Sequence, residues 1–122
     1  MTNLLFCYDS FGTRELFKRQ CDELGRKAKC VSLYSEAIKE SKTSGYDAFF
    51  LDFQNNLELL DVCYVADRIR DLQPTGLLIG VTMGYEKGHR ERKHFDVIAN
   101  TIDILNPIKI KKLERFLKKH KL

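Results

Sequence analysis

Five short apolar runs alternate with longer amphipathic stretches, which predicts an α/β domain with a mostly parallel sheet covered on both faces. Right-handed crossovers then favour five strands in a doubly wound arrangement. No internal repeat, linker or low-complexity segment interrupts the 122 residues, so residues 1–122 read as a single domain.

The first run, residues 4–8, is Leu-Leu-Phe-Cys-Tyr. Leu16, Phe17, Cys21 and Leu24 then recur at helical spacing, and Gly25 supplies a helix stop. A second run covers 28–33, and a shorter helix starts at Ser35-Glu36-Ala37-Ile38 and ends near Ser44-Gly45. The third run, 48–52, is apolar until its last residue, Asp52. Leu59, Val62, Cys63, Ala66 and Ile69 form an apolar stripe that Gln73-Pro74 closes. A fourth run, 77–82, ends in Gly80-Val81-Thr82. The stretch 85–100 opens very polar, so its helix is the weakest of the set. Residues 102–105 supply the fifth strand, ending at Asn106-Pro107, and Ile110, Leu113, Phe116 and Leu117 give the last helix its buried face.

With 43% hydrophobic and 31% charged residues, the composition is that of an ordinary soluble domain. No apolar run approaches the ~18–20 residues that span a membrane. Met1 is followed by neither a basic region nor a small-residue cleavage site, so no signal peptide is expected. Cys7, Cys21, Cys30 and Cys63 are widely spaced within periodic apolar segments, the pattern of buried free thiols in a reducing, cytoplasmic setting. Charge is uneven. Residues 1–84 carry 10 Lys and Arg against 12 Asp and Glu, whereas residues 85–122 carry 11 against 5. That excess suits an acidic partner, or simply complements a helix C-terminus.

In a flavodoxin-like sheet of order 2-1-3-4-5, the switch point lies between strands one and three. Asp9 follows the first strand and Asp52 ends the third, so the two carboxylates should converge. Close like charges repel unless a cation or shared proton intervenes, and Mg2+ suits oxygen ligands. Thr82 would face the same crevice from the fourth strand, and Asn106 would end the fifth.

Tyr8-Asp9, residues 46–52, Gly80-Val81-Thr82 and residues 102–107 together resemble the receiver domains of bacterial two-component response regulators, over essentially the whole chain. Residues 46–52 and the Asn106-Pro107 turn most resemble receivers that accompany LytTR-type DNA-binding domains. The resemblance implies that Asp52 accepts a phosphoryl group from a histidine kinase. It further implies that Asp9, Asp52 and the Gln54 backbone carbonyl hold Mg2+, and that Thr82 bonds a phosphoryl oxygen. Residues 85–122 would be the surface for a homodimer or another signalling protein.

The chain also departs from that pattern. Tyr8 stands where the family has a second acid, and Asn106 where it has a lysine before the proline. Asp103 replaces an aromatic residue, and Phe53-Gln54-Asn55-Asn56-Leu57-Glu58 replaces a loop with Met-Pro and Asp-Gly. An asparagine donates hydrogen bonds without positive charge, and losing a charge-assisted contact costs roughly 1.5–3 kcal/mol. The expected function is a receiver acting through protein contacts with weak or absent phosphorylation, rather than an enzyme. The alternative is a working Mg2+-dependent acceptor at Asp52. A third reading takes Cys7, with Ser10, Gly12 and Thr13, as a phosphocysteine loop like that of sugar-transport IIB components, although Asp9 nearby would raise the thiol pKa. His89, His94 and His120 lack the spacing of a zinc site, and the basic tail has no recognised DNA-binding motif.

Overall fold

The computed structural model describes residues 2–53, 55, 57–83 and 89–122. Its sheet has five parallel strands in the order β2-β1-β3-β4-β5. They are β1 (Asn3–Cys7), β2 (Lys27–Val31), β3 (Ala48–Asp52), β4 (Leu77–Thr82) and β5 (Val97–Asn100). The helices are α1 (Phe11–Glu23), α2 (Tyr34–Thr43), α3 (Val62–Leu72), α4 (His89–Arg92), α5 (Thr101–Ile104) and α6 (Lys111–Lys119).

Two apolar layers follow from the period-two alternation of the strands. Leu4, Phe6, Phe50, Ile79 and Val81 face one side, where they pack with Phe17 and Cys21 of α1 and Leu113 and Leu117 of α6. Leu5, Cys7, Phe49, Leu51 and Leu78 face the other, against Tyr34 and Ala37 of α2 and Val65, Ala66 and Ile69 of α3. This is the doubly wound architecture that the alternating runs predict. Helix starts follow local chemistry: the Ser10 Oγ accepts from the Thr13 N–H at 3.4 Å, and the Asp61 carboxylate from the Cys63 N–H at 2.9 Å. Gly25, at φ 73°, ends α1 in the left-handed conformation that glycine adopts without steric cost.

α3 starts at Val62, so Leu59 of the expected stripe lies outside it and is fully exposed, and one strand also differs from the sequence expectation. The fifth strand is Val97–Asn100, and residues 102–105 lie instead in and just after α5. Val97, Ile98 and Ala99 pair with Ile79, Gly80 and Val81. The Asn100 side chain then accepts from the Ile102 N–H at 3.2 Å, and the Leu105 N–H reaches the Thr101 carbonyl at 2.8 Å. An N-cap placed directly after the strand therefore turns the chain into helix, leaving Ile102 and Asp103 in solvent and burying Ile104 and Leu105.

Candidate functional site

β1 and β3 pair from Leu4↔Ala48 to Cys7↔Leu51, so the residues that follow them emerge together at the carboxyl edge of the sheet. Asp52 is only 3% exposed there. Its Oδ2 accepts from the Asp9 N–H at 3.2 Å, and its backbone carbonyl accepts from the buried Tyr34 hydroxyl. Its Oδ1 is buried and has no hydrogen-bond partner among the described residues. Burial pushes the Asp52 carboxyl up to about 7; the Asp9 N–H opposes the shift and the Asp9 charge adds to it. The two predicted acids thus converge.

Tyr8 turns away from them into the core. It is 2% exposed, and its ring stacks on Phe6 at 5.5 Å between centroids. Its hydroxyl lies 3.2 Å from Thr101 Oγ1, and that hydroxyl donates to the Thr82 carbonyl at 2.9 Å. Because the single Thr101 proton is committed to Thr82, Tyr8 is the donor to Thr101. Burial holds the Tyr8 phenol above its ordinary pKa, so it stays neutral and adds no charge near the two acids. The chain Tyr8–Thr101–Thr82 ties the ends of β1 and β4 to the start of α5.

Thr82 ends β4, one strand from Asp52, and is 6% exposed. Its register partner on β5 is Asn100. Asn106, expected at that strand end, lies six residues farther on. Its carbonyl accepts from Gln20 Nε2 at 2.7 Å, and its Oδ1 accepts from the Ile108 and Lys109 N–H groups at 2.8 and 2.9 Å. Asn106 therefore joins α1 to the turn before α6 and does not end the fifth strand. Asn100 and Thr101 are the residues that sequence reading missed. Their signal was an Asn-Thr pair after Val-Ile-Ala, an N-cap pattern at a strand end.

Cys7 is fully buried in the layer facing α2 and α3, and burial, then Asp52, raises its thiol pKa. A neutral, enclosed thiol lacks the electropositive exposure that a phosphocysteine needs. His94 Nδ1 lies 2.9 Å from an Asp67 carboxylate oxygen, and His120 packs on Phe116 at 4.6 Å. The predicted ligand Gln54 lies outside the described residues. Among the described residues no three His, Cys, Asp or Glu form a metal cage. The Asp9–Asp52 pair suits a hard divalent cation that keeps most of its water: Asp52 Oδ1 is a buried oxygen with no partner among the described residues, and Oδ2, which accepts from the Asp9 N–H, keeps a second lone pair.

Known structures share this fold. A CheY-like receiver domain from Methylobacillus flagellatus is 27% identical, matching over 98% of both chains with a TM-score of 0.78. The Thermotoga maritima response regulator TrrA, solved with Mg2+ and BeF, is 22% identical over 98% of both chains, TM-score 0.79. The same regulator in complex with the histidine kinase ThkA matches at 22% identity over 98% of this chain and 97% of that one, TM-score 0.78. No family model matches the sequence, and no curated protein does. The fold is the flavodoxin-like fold of CheY-like receiver domains, and no helix among the described residues is long and apolar enough to cross a membrane.

Proposed function

We propose that this chain is a response-regulator receiver domain that signals through protein contacts and retains a weakened phosphoryl-acceptor site at Asp52. The observation that carries the reading is the buried Asp52 carboxyl beside Asp9, with one oxygen held by a backbone N–H and the other unpartnered. Oδ1, the oxygen without a hydrogen-bond partner, would be the one to attack phosphorus, leaving Oδ2 to face the cation. Two features weaken Oδ1 as a nucleophile. A carboxyl held near 7 is about half protonated at neutral pH, and Oδ1 is buried from solvent. Asp9 and Asp52 would hold Mg2+, with the Gln54 carbonyl as the third ligand that the resemblance implies. When bound, the ion supplies positive charge against the carboxylates and the incoming phosphoryl oxygens.

Thr82, at the end of β4, would hydrogen-bond a phosphoryl oxygen. β5 ends in Asn100, and Thr101 opens α5 with its hydroxyl donating to the Thr82 carbonyl, so this strand end would bring no cation to the phosphoryl group. The partner class is a histidine kinase or a related signalling protein, and residues 85–122 are the surface for a second copy or an output partner. Incubation with Mg2+ and acetyl phosphate, followed by intact mass, should give slow, partial addition of one phosphoryl group that Asp52→Asn abolishes. Labelling should quicken as the carboxyl loses its proton, with a midpoint below the metal-free value of about 7 because Mg2+ favours the ionised form. An unchanged mass, together with amide shifts that do not move on adding Mg2+ and beryllofluoride, would leave only the phosphorylation-independent form of the reading.

A further inference from the structure

Tyr34 opens α2, and its hydroxyl donates to the Asp52 backbone carbonyl. The side chain is buried in the layer that holds Cys7, Leu51 and Val62. Burial, then the Asp52 charge, holds the phenol above its ordinary pKa, so it stays protonated and able to donate. The peptide between Asp52 and Phe53 is thereby held from two sides, since the Phe53 N–H donates to the Val81 carbonyl at 3.1 Å. The same turn of α2 also grips the chain beyond Asp52. The Asn55 amide donates to the Ser32 carbonyl at 2.6 Å. The Glu58 carboxylate accepts from the Ser35 N–H at 2.9 Å and from the Ser35 hydroxyl at 2.6 Å. Glu36 fixes the turn itself, accepting from the Ser32 and Leu33 N–H groups at 3.3 and 3.0 Å.

We infer that Tyr34 is a positioning residue of the Asp52 site, through which the first turn of α2 sets where the carboxylate stands. This role rests on the acceptor reading and deepens it. Tyr34 hydrogen-bonds the backbone of Asp52 and not its carboxylate, so its effect reaches Oδ1 and Oδ2 through the Asp52 Cα. A buried carbonyl that loses its donor is costly, and the peptide turns to find another partner. That rotation carries the side chain with it and draws Oδ2 away from the Asp9 N–H, now at 3.2 Å. Group transfer is sensitive to such movement: a misplacement of about 1 Å can slow a reaction roughly a hundredfold. Phenylalanine would fill the same space, so Tyr34→Phe separates the hydrogen bond from the packing.

Two measurements on the full chain test this, both at a temperature where wild type and variant are fully folded. Without any phosphodonor, hydrogen exchange of the Asp9 amide should quicken in Tyr34→Phe, and the Asp52 carbonyl carbon resonance should shift. With saturating Mg2+ and acetyl phosphate, initial labelling followed by intact mass should slow roughly ten- to a hundredfold. A merely structural tyrosine would lower the unfolding midpoint and leave Asp9 exchange and the labelling rate of the folded chain unmoved. Tyr46→Phe is the matched control, because it removes a hydroxyl bond of 2.6 Å to Glu40 two residues before β3 begins. It should leave Asp9 exchange and labelling as they are. Glu58→Ala, which frees Ser35 without altering Tyr34, should act in the same direction as Tyr34→Phe by a smaller factor, and it decides the matter if Tyr34→Phe does not fold. Asp9 exchange and labelling that stay at wild-type values in Tyr34→Phe, or that change equally in Tyr46→Phe, would overturn the proposal. A wild-type chain that takes up no phosphoryl group would remove the acceptor reading alone, and Asp9 exchange would then still decide whether Tyr34 positions the carboxylate.

Discussion

Asn100 ends β5 as the register partner of Thr82, whereas Asn106 is occupied in capping the turn before α6. The two asparagines therefore make opposite predictions. Asn100→Lys removes the cap on the Ile102 N–H but brings an ammonium to the end of β5, two strands from Asp52, where a charge-assisted bond to a phosphoryl oxygen would be worth roughly 1.5–3 kcal/mol. Beryllofluoride affinity, measured with Mg2+ by NMR titration, should rise roughly tenfold or more. Asn106→Lys should leave that affinity unchanged and lower stability, because two backbone N–H groups lose their acceptor. If Asn106→Lys strengthened binding and Asn100→Lys did not, the assignment of the strand end would be wrong. At this scale the sequence reveals Asp9 and Asp52, because strand-end carboxylates are brought together by sheet order alone. It does not reveal the direction of Tyr8, because a tyrosine one residue past a strand suits both core and crevice. Only packing against Phe6 and the hydroxyl of Thr101, 93 residues away, decides it.

At the scale of elements, β4 and the start of the loop after β3 are fitted through one glycine. A Cβ on Gly80 would stand 2.3 Å from Phe53 Cε1 and 3.1 Å from Ile98 Cδ1. Phe53 packs on Phe95 at 5.3 Å between centroids and directly follows Asp52, so a shift of its ring would disturb that packing next to the acid in sequence. Gly80→Ala should cost about 1–3 kcal/mol, the usual penalty of overpacking, read as a lower urea midpoint at unchanged slope. Amide shifts at Asp9 and Asp52 should move with it. An unchanged midpoint would mean that the Phe53 ring yields freely. The first four strands were legible because each is a run of apolar residues bounded by turn chemistry. β5 was not, because the three apolar residues Val97-Ile98-Ala99 precede the more conspicuous Ile102-Asp103-Ile104-Leu105, which helix capping by Asn100 claims for α5.

The stability of the whole molecule carries the signature of its buried acid. Asp52 is held at about 7 in the folded chain against an ordinary 3.8, so the native state binds the extra proton between those values. Stability from this group is therefore complete below about pH 4, and it falls as pH rises through about 7. A tenfold change in proton affinity corresponds to about 1.4 kcal/mol, which sets an effect of order 2–4 kcal/mol for a residue so little exposed. Asp52→Asn removes the ionisation while keeping an acceptor for the Asp9 N–H. It should therefore be more stable than wild type at pH 8 by about that amount, and the two should converge near pH 4. Comparing the two chains cancels the pH dependence of the other carboxylates, such as the capping Asp61. Mg2+ gives the cross-check. An ion held by Asp9 and Asp52 favours the ionised pair, so it should raise the wild-type unfolding midpoint more at pH 8 than at pH 5, and raise that of Asp52→Asn little at either. A wild-type-to-variant difference that stays flat from pH 4 to 8 would show that burial does not hold the Asp52 proton, and would remove the physical reason for a weak acceptor.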